Sequence, residues 1–414
     1  MQSPITRQDL AALDAADPLA PFRDRFVLPD GVIYLDGNSL GAMPRETAAR
    51  LADVAAREWA QGLIRSWNDA GWMELAPRIG AKIGRLIGAA QGSTMVADST
   101  SVNLFKLLAA ALRLRPGRRV ILSEQGNFPT DLYIAQGLAA LLAEGHELRT
   151  VTAAEIPSAL DADVAVMLLT HVNYHTGAMH DMAALTARAH AAGALTLWDL
   201  AHSAGAVPLA LAEAGADLAV GCGYKFLNGG PGAPAFLHVA PHLHTAIRFP
   251  ITGWLAHAAP FAFEPGFRPA PGIAAAAVGT PPVLSLAALE CGVDLALAAP
   301  MPAVRAKSLA QTAIFMRLVE QRCAGNGLSI VTPAEDHRRG SQVSIRHEHA
   351  WPIMQALIAR GVIGDFRAPD VLRFGITPLY LRHTDLWDAV EVLRDVLTSA
   401  AWRQPRYAER RAVT

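Results

Sequence analysis

The chain has 414 residues, enough for two or three domains built around a large apolar core. Hydrophobic residues make up 52% of the chain and charged residues 18%, a balance typical of a compact folded protein and not of a disordered one. Its 36 lysines and arginines are matched by 37 aspartates and glutamates, so the basic surplus of a nucleic-acid-binding protein is missing and we expect no nucleic-acid partner.

The N-terminal segment contains no basic stretch followed by a long apolar one, so we predict no signal peptide. The longest uncharged stretches, 226–247 and 269–289, are interrupted by glycine and proline, which argues against a membrane-spanning helix. Cys222, Cys291 and Cys323 are too few and too unevenly spaced for a disulfide framework or a paired-cysteine metal site. We therefore expect a cytoplasmic protein that binds neither a membrane nor a metal.

Between residues 95 and 240, apolar runs of strand length alternate with longer helical patterns. The predicted strands of this region are 118–124, 163–170, 194–199 and 217–224. The predicted helices are 102–113, 131–144 and 181–192. This alternation is typical of βαβ units, so we predict an α/β fold with a mainly parallel sheet.

The pattern changes from about residue 283 onward. We predict long helices from about Val283 and Pro302, short strands at 341–347 and 371–377, and a closing helix from about Thr384. These elements indicate a smaller α+β domain at the C-terminal end of the chain.

Three segments follow from these patterns. We predict an N-terminal segment at 1–50, a large domain at 51–282 and a small domain at 283–414. The proline- and glycine-rich stretch 265–282 is a candidate linker or interface loop between the two domains.

Polar side chains follow each predicted strand of the large domain. In open parallel sheets, ligands bind beyond the carboxyl ends of the strands, so these side chains are candidate binding residues. They are Asn127 and Asp131, together with the aromatic Phe128, after the first strand, Thr170 and His171 after the second, Asp199 and His202 after the third, and Tyr224 and Lys225 after the fourth.

Two of these residues form a suggestive pair. Lys225 is one of only four lysines in the chain, and no other residue of fixed charge lies between Asp217 and Arg248. Taken singly, Lys225 could extend from a loop into solvent, and Asp199 could cap a helix. Together they match a cofactor whose ring nitrogen needs an anion and whose aldehyde needs an amine.

A candidate anion site lies at the start of a predicted helix. Asp98, Ser99, Thr100 and Ser101 directly precede this apolar helix, so hydroxyls and free backbone N–H groups should converge at its positive end. Ordinary helix capping explains the same residues, and the pattern leaves both interpretations open.

Six motifs, in order along the chain, resemble the kynureninase family, which belongs to the aminotransferase class V branch of the pyridoxal-phosphate fold type I enzymes. The motifs are YLDGNSLG (34–41), STSVNLFK (99–106), NFPTD (127–131), HVNYHTG (171–177), WDLAHSAG (198–205) and GYKFLNGGPG (223–232). The resemblance implies the fold type I architecture, pyridoxal 5'-phosphate as the cofactor, and hydrolysis of the Cβ–Cγ bond of L-kynurenine to anthranilate and L-alanine.

The resemblance also implies roles for individual residues. Lys225 would form the Schiff base and move the Cα proton, Asp199 would pair with the ring nitrogen, and Tyr224 would protonate Cβ. The remaining cofactor contacts would come from Thr100, Ser101, Phe128, Asp131, Thr170 and His202, with Trp254 and Thr280 contributed by the partner subunit of a homodimer. Arg373 would clamp the substrate carboxylate, and Asn38 and Ser39 would complete the substrate site.

Thr280 leads to an expectation about substrate preference. The resemblance implies an asparagine at this position in relatives that favour 3-hydroxykynurenine, so we expect a preference for kynurenine here. Two alternative functions remain: a cysteine desulfurase or selenocysteine lyase of class V, and a regulator that binds the cofactor without turnover. The first needs a nucleophilic cysteine on a mobile loop, whereas the available cysteines lie in predicted strand or helix.

Overall fold

The computed structural model describes residues 4–410, which form two compact units. The larger unit consists of Glu46–Asn173 and His180–Leu297. The smaller unit contains the described residues up to Arg45, Tyr174–Met179, and the described residues from Ala298 onward.

The α-helices are numbered in chain order. They are α1 Arg7–Ala15, α2 Arg45–Asp53, α3 Ser66–Asp69, α4 Trp72–Leu86, α5 Thr100–Leu114, α6 Pro129–Leu142, α7 Ile156–Ala159, α8 Met182–Ala191, α9 Leu211–Ala214, α10 Val283–Ala298, α11 Met301–Arg322, α12 Ala350–Ile358 and α13 His383–Thr398. A π-helix at Val54–Gly62 and several short 3-10 turns complete the helical structure of the described residues.

The strands are numbered in the same way. They are β1 Ile33–Tyr34, β2 Thr94–Val96, β3 Val120–Glu124, β4 Glu147–Val151, β5 Val164–Thr170, β6 Leu195–Asp199, β7 Leu218–Gly221, β8 Phe236–Val239, β9 Ser329–Ile330, β10 Gln342–Arg346, β11 Val362–Ile363, β12 Asp365–Arg367 and β13 Val371–Gly375.

The larger unit is built on a sheet with the strand order β2-β8-β7-β6-β5-β3-β4. Strands β4, β3, β5, β6 and β7 run parallel, while β8 and β2 are antiparallel to their neighbours. All seven residues of β5 and all five of β6 are buried, as expected for central parallel strands covered by helices on both faces. The predicted α/β fold with a mainly parallel sheet is confirmed.

The smaller unit has an antiparallel sheet with the order β12-β13-β10-β9 and a short parallel pair, β1 with β11. The predicted small α+β domain is therefore also confirmed as a fold class. Its central strand β13 is completely buried, and this strand carries Arg373.

The predicted domain boundaries at residues 50 and 282 stay predictions, but the two compact units divide the chain elsewhere. Helix α10 is apolar almost all round, and its residues Leu286, Leu289 and Val293 join the core of the larger unit. The stretch 265–282 consequently lies within the larger unit and does not connect it to the smaller one.

Among the described residues, no single helix is long and apolar enough to cross a bilayer. Helices α10 and α11 together reach that length and composition, but they are separate helices, and eight residues of α10 are buried in the protein.

Candidate active site

The carboxyl ends of β5, β6 and β7 lie side by side in the larger unit. Thr170 is the register partner of Asp199, and Asp199 is the register partner of Val220. These register partners lie at or next to the last residue of each strand, so the loops that follow β5, β6 and β7 start from the same edge of the sheet. The predicted clustering of polar residues at this edge is a direct result of strand register.

Lys225 lies in the loop after β7 and is only 9% exposed. Its Nζ is 3.1 Å from Nε2 of His202, and it lies 5.7 Å and 5.8 Å from the ring centroids of Phe128 and Tyr224. A lysine that reached into solvent would not be buried against two aromatic rings, so that alternative does not hold. The amine is held inside the site.

Asp199 is the last residue of β6 and is 2% exposed. Its Oδ1 accepts a hydrogen bond of 2.7 Å from the N–H of Ala201. The following residues form turns instead of a helix, so the helix-capping interpretation is wrong. Burial raises the pKa of Asp199, and the positive charge of Lys225 opposes that rise.

A second carboxylate, Asp131, is buried near Asp199. Thr170 Oγ1 donates to Asp131 Oδ2 at 3.2 Å and forms a short hydrogen bond with Asn127 Oδ1. Burial, and next the charge of Asp199, raise the pKa of Asp131 well above its usual value. Asp131 Oδ1 is buried and has no hydrogen-bond partner among residues 4–410. The site can thus accept a further cation or hydrogen-bond donor.

The candidate phosphate site is the start of α5. Ser99 is the N-cap of this helix, and its Oγ accepts a hydrogen bond from the N–H of Val102 at 3.3 Å. Thr100 and Ser101 follow as half-buried residues of the first helical turn. The capping role therefore falls to Ser99, and the other two hydroxyls lie at the positive end of the helix.

Arg373 lies in the smaller unit and is 1% exposed. Its Nε donates to Asp365 Oδ1 at 2.8 Å, its Nη1 donates to the carbonyl of Tyr174 at 2.8 Å, and its Nη2 donates to Ser39 Oγ at 2.6 Å. A short second bond to Asp365 Oδ2 completes a two-point ion pair. Among residues 4–410, these bonds use four of the five guanidinium N–H groups and leave one on Nη1 without a partner.

The other predicted substrate residues surround this arginine. Ser39 joins the Arg373 network directly, donating to Asp365 at 2.6 Å. Asn38 is fully buried, and its Nδ2 donates to Gln342 Oε1 at 3.3 Å. Burial, and next the charge of Asp365, raise the pKa of the neighbouring Asp36 carboxyl above its usual value.

Trp254 and Thr280 lie in the larger unit. Thr280 is exposed and lines a cavity of about 440 Å³ together with Asp98, Val278 and Leu286. Trp254 is 37% exposed and packs against Phe261, with 5.7 Å between the ring centroids. Neither residue is among the contacts of Lys225 given above.

The sequence analysis did not single out three residues. Asp365 and Tyr174 bind Arg373, and Lys106 pairs with Asp98 near the start of α5. Asp365 reaches Arg373 because β12 pairs with β13 so that the two residues are direct cross-strand neighbours. Tyr174 binds Arg373 through its backbone carbonyl, and a backbone contact is not revealed by a side-chain pattern. Lys106 is part of the motif STSVNLFK, but its burial and partners depend on the fold.

Comparison with known proteins decides the family. The chain is 58% identical to the kynureninase of Burkholderia pseudomallei (strain 1106a) over 99% of this chain and 100% of the relative, and 55% identical over the same shares to that of Pseudomonas fluorescens. The chain belongs to the kynureninase family. A family model described as the kynureninase C-terminal domain matches residues 304–393.

Solved structures similar to this kynureninase family member show the same fold. A cysteine desulfurase from Thermococcus onnurineus NA1 superposes with a TM-score of 0.77 at 15% identity, covering 96% of this chain and 100% of that one. A mutant of the lyase C-DES, with glycine linked to its PLP cofactor, gives a TM-score of 0.75 at 16% identity over 95% of this chain and 100% of that one. At such identities these structures establish the fold alone, the fold type I architecture.

Family and fold together make pyridoxal 5'-phosphate the cofactor. The residues present fit this group: a buried amine at Lys225, a buried carboxylate at Asp199 for a protonated ring nitrogen, and a helix start for a phosphate. The unpartnered Oδ1 of Asp131 supplies a further acceptor in the same region.

Proposed function

We propose that the protein hydrolyses the Cβ–Cγ bond of L-kynurenine to give anthranilate and L-alanine. The observation that carries this proposal is the buried Lys225 amine near Asp199 in a chain 58% identical to a kynureninase over its full length. The cysteines argue against the desulfurase alternative, because burial raises the pKa of Cys222, of Cys291 and, to about 11, of Cys323. A sulfur-transferring nucleophile needs the opposite shift.

When bound, pyridoxal 5'-phosphate supplies a ring that accepts electrons from the substrate carbons. Lys225 would hold the cofactor, and its amine would take the proton from the substrate's Cα. His202 Nε2, 3.1 Å from Lys225 Nζ, gives the amine a hydrogen-bonding partner during this transfer. Asp199 would hold a proton on the ring nitrogen, since a cation beside its carboxylate would offset the cost of burying that charge.

Tyr224 is the proposed proton donor to Cβ. It directly precedes Lys225, whose Nζ lies 5.8 Å from the centroid of the Tyr224 ring. A phenol titrates at about pH 10, so a nearby cation helps it to transfer a proton near neutral pH. Water supplies the hydroxyl group that ends on the anthranilate carboxyl carbon, and Cβ becomes the methyl group of alanine.

Arg373 is proposed to bind the substrate α-carboxylate, with Asn38 and Ser39 in the same subsite. Two-point binding of a carboxylate by this guanidinium group would require Asp365 to give up part of its contact with Arg373. Before substrate binds, the two bonds to Asp365 hold the guanidinium plane of Arg373 in a fixed orientation.

We expect Arg373→Lys to raise KM for kynurenine by about ten- to a hundredfold, the equivalent of one charge-assisted hydrogen bond of roughly 1.5 to 3 kcal/mol. Lysine keeps the charge but loses the fork that contacts Asp365, Ser39 and Tyr174. Steady-state kinetics on protein with full cofactor content measure the effect. Arg346→Lys, at an exposed arginine of the same sheet, is the control, and an unchanged KM in Arg373→Lys would place the carboxylate elsewhere.

We further propose a homodimer with composite active sites, in which Trp254 and Thr280 of one protomer serve the other. The support is an exposed aromatic cluster around Trp254, where Phe261 is 62% exposed and Phe263 is 77% exposed. Exposed aromatic patches of this kind are typical of protein interfaces. A second copy of the chain would cover them, and the oligomeric state in solution tests this.

Thr280 is the proposed determinant of substrate preference. Its side chain is too short to reach a ring hydroxyl that a longer amide could bind, so the hydroxyl of 3-hydroxykynurenine would lose its water without a replacement. We expect kynurenine to be favoured about ten- to a hundredfold in kcat/KM, and Thr280→Asn to reduce that ratio. Both values of kcat/KM, measured on both proteins, decide the matter. A mutant with an unchanged ratio would show that Thr280 only shapes its loop.

The function itself is tested by incubating the purified protein with L-kynurenine and following anthranilate fluorescence and alanine release. We expect both products in equal amounts and none without pyridoxal 5'-phosphate. Sulfur release from cysteine, in the absence of anthranilate formation, would support the desulfurase alternative. Cofactor binding without either reaction would support the regulator. We place the enzyme in the cytoplasm, where its three unpaired cysteines remain reduced.

A further inference from the structure

Lys106 is a buried lysine that the proposed reaction does not use. It lies on α5, the helix whose first turn carries Thr100 and Ser101, and its side chain is fully buried. In a chain where most basic residues are arginine, a lysine in this position provides a single compact ammonium group with three donors. Burial lowers its pKa, so the charge is kept at a cost that its partners must offset.

The partners of Lys106 tie two segments together. Its Nζ donates to Asp98 Oδ2 at 2.7 Å and to the backbone carbonyl of Ala276 at 2.8 Å. Asp98 is the residue directly before the N-cap Ser99, and Ala276 ends the 3-10 turn that leads toward Thr280. The ammonium group of Lys106 therefore links the residue before the N-cap of α5 to the end of the 3-10 turn.

The backbone conformation of Asp98 is one reason why this hydrogen bond matters. Its φ of 49° is in the left-handed region, which residues other than glycine adopt at a cost. This turn directs the chain from β2 into α5 and decides where the first N–H groups of the helix point. Asn103, one helical turn before Lys106, also reaches back, donating from Nδ2 to the carbonyl of Ala97 at 2.8 Å.

The negative charge of Asp98 is a second reason why its ion pair with Lys106 matters. Its carboxylate lies within three residues of Thr100 and Ser101, at the helix end proposed to hold a phosphate dianion. An uncompensated carboxylate there would repel the phosphate, and the ion pair with Lys106 offsets that charge.

We propose that Lys106 is a positioning residue for the cofactor phosphate, which it serves by holding Asp98 and the start of α5 in the binding conformation. The inference rests on the proposed phosphate-binding role of Thr100 and Ser101. Lys106 does not touch the cofactor in this scheme, and it acts through Asp98.

The experiment compares Lys106→Met with Lys307→Met. Lys307 is a matched control in the smaller unit, because it is also buried and also donates to one aspartate, Asp17, and one carbonyl, that of Pro378. Pyridoxal 5'-phosphate is titrated into the cofactor-free proteins, with its visible absorbance when linked to the protein as the signal. Thermal midpoints of the cofactor-free proteins are measured alongside.

We expect both variants to lower the thermal midpoint, and only Lys106→Met to weaken cofactor binding, by about tenfold or more, the scale of one charge-assisted hydrogen bond. Wild-type affinity in Lys106→Met, or an equal loss in Lys307→Met, would overturn the proposal. If the wild-type protein itself bound no cofactor, the proposed function would fail instead, so the two failures are distinct.

Asp98→Gly keeps the test available if Lys106→Met does not fold. Glycine adopts the left-handed backbone freely, so this variant removes the carboxylate without adding strain. We expect Asp98→Gly to weaken cofactor binding less than Lys106→Met does, because it loses the anchored turn but also removes the carboxylate that would repel the phosphate. We expect the double variant with Lys106→Met to match Asp98→Gly, since both changes break the same ion pair. Unchanged affinity in Asp98→Gly, or additive losses in the double variant, would show that Lys106 does not act through Asp98.

Discussion

Lys225→Arg is expected to abolish turnover while preserving the fold and the positive charge. Arginine cannot form the covalent link to an aldehyde or act as a base near neutral pH, and general-base catalysis alone supplies roughly 10²- to 10⁴-fold. The other three lysines are engaged elsewhere: Lys82 pairs with Glu290, Lys106 with Asp98 and Lys307 with Asp17. Anthranilate formation and the visible absorbance of the protein-bound cofactor measure the loss.

Borohydride reduction followed by peptide mapping gives the assignment directly. The reduced cofactor should be found on Lys225 in the wild-type protein and on no lysine in the variant. Lys82→Arg is the control, because Lys82 is a partly exposed residue paired with Glu290 and Asp294, and its replacement should leave activity unchanged. An adduct on Lys82, Lys106 or Lys307 would contradict the assignment.

Asp199→Asn is expected to lower kcat by at least about a hundredfold, the factor supplied by one charge-assisted hydrogen bond near 3 kcal/mol. Asparagine can still accept the N–H of Ala201, so the local turn should persist, but it cannot hold a proton on the cofactor ring nitrogen. The pH dependence of the bound cofactor's absorbance should change together with kcat.

Asp217→Asn is the matched control for this substitution. Asp217 is another buried aspartate, directly before β7 at the opposite end of that strand from Lys225, and it accepts a hydrogen bond from the N–H of Thr196 at 2.9 Å. Its replacement should reduce stability with little effect on the absorbance of the bound cofactor. If Asp199→Asn retained near-normal kcat, the carboxylate would have only a local structural role.

Part of the site was predictable from the sequence for local reasons. The runs that became β5 and β6 are apolar and of strand length, and the polar residue that ends each one, Thr170 or Asp199, lies at the carboxyl edge by the rule for parallel sheets. Lys225 was identifiable because it is a lone charge in an uncharged stretch. Such signals depend on neighbours in the chain.

The burial of Lys225 and Asp199 could not be predicted from the sequence and was established by the tertiary structure. The sequence allowed Lys225 to point into solvent and Asp199 to cap a helix, and only the packing of Phe128 and Tyr224 around the amine and the turns after β6 excluded these possibilities. The stretch 265–282 had the composition of a linker, but it lies within the larger unit. The helix that follows it, α10, packs its apolar residues into the core of that unit.

By itself, the sequence determined the alternating α/β pattern, the strand ends where ligands bind, and the family motifs with their lysine and aspartate. The tertiary structure decided which distant groups meet: Ser39 and Tyr174 with Arg373, and Lys106 with Ala276. The physical reason is that hydrophobic periodicity is local and survives in the sequence, whereas strand register and the pairing of buried charges depend on contacts between residues far apart in the chain.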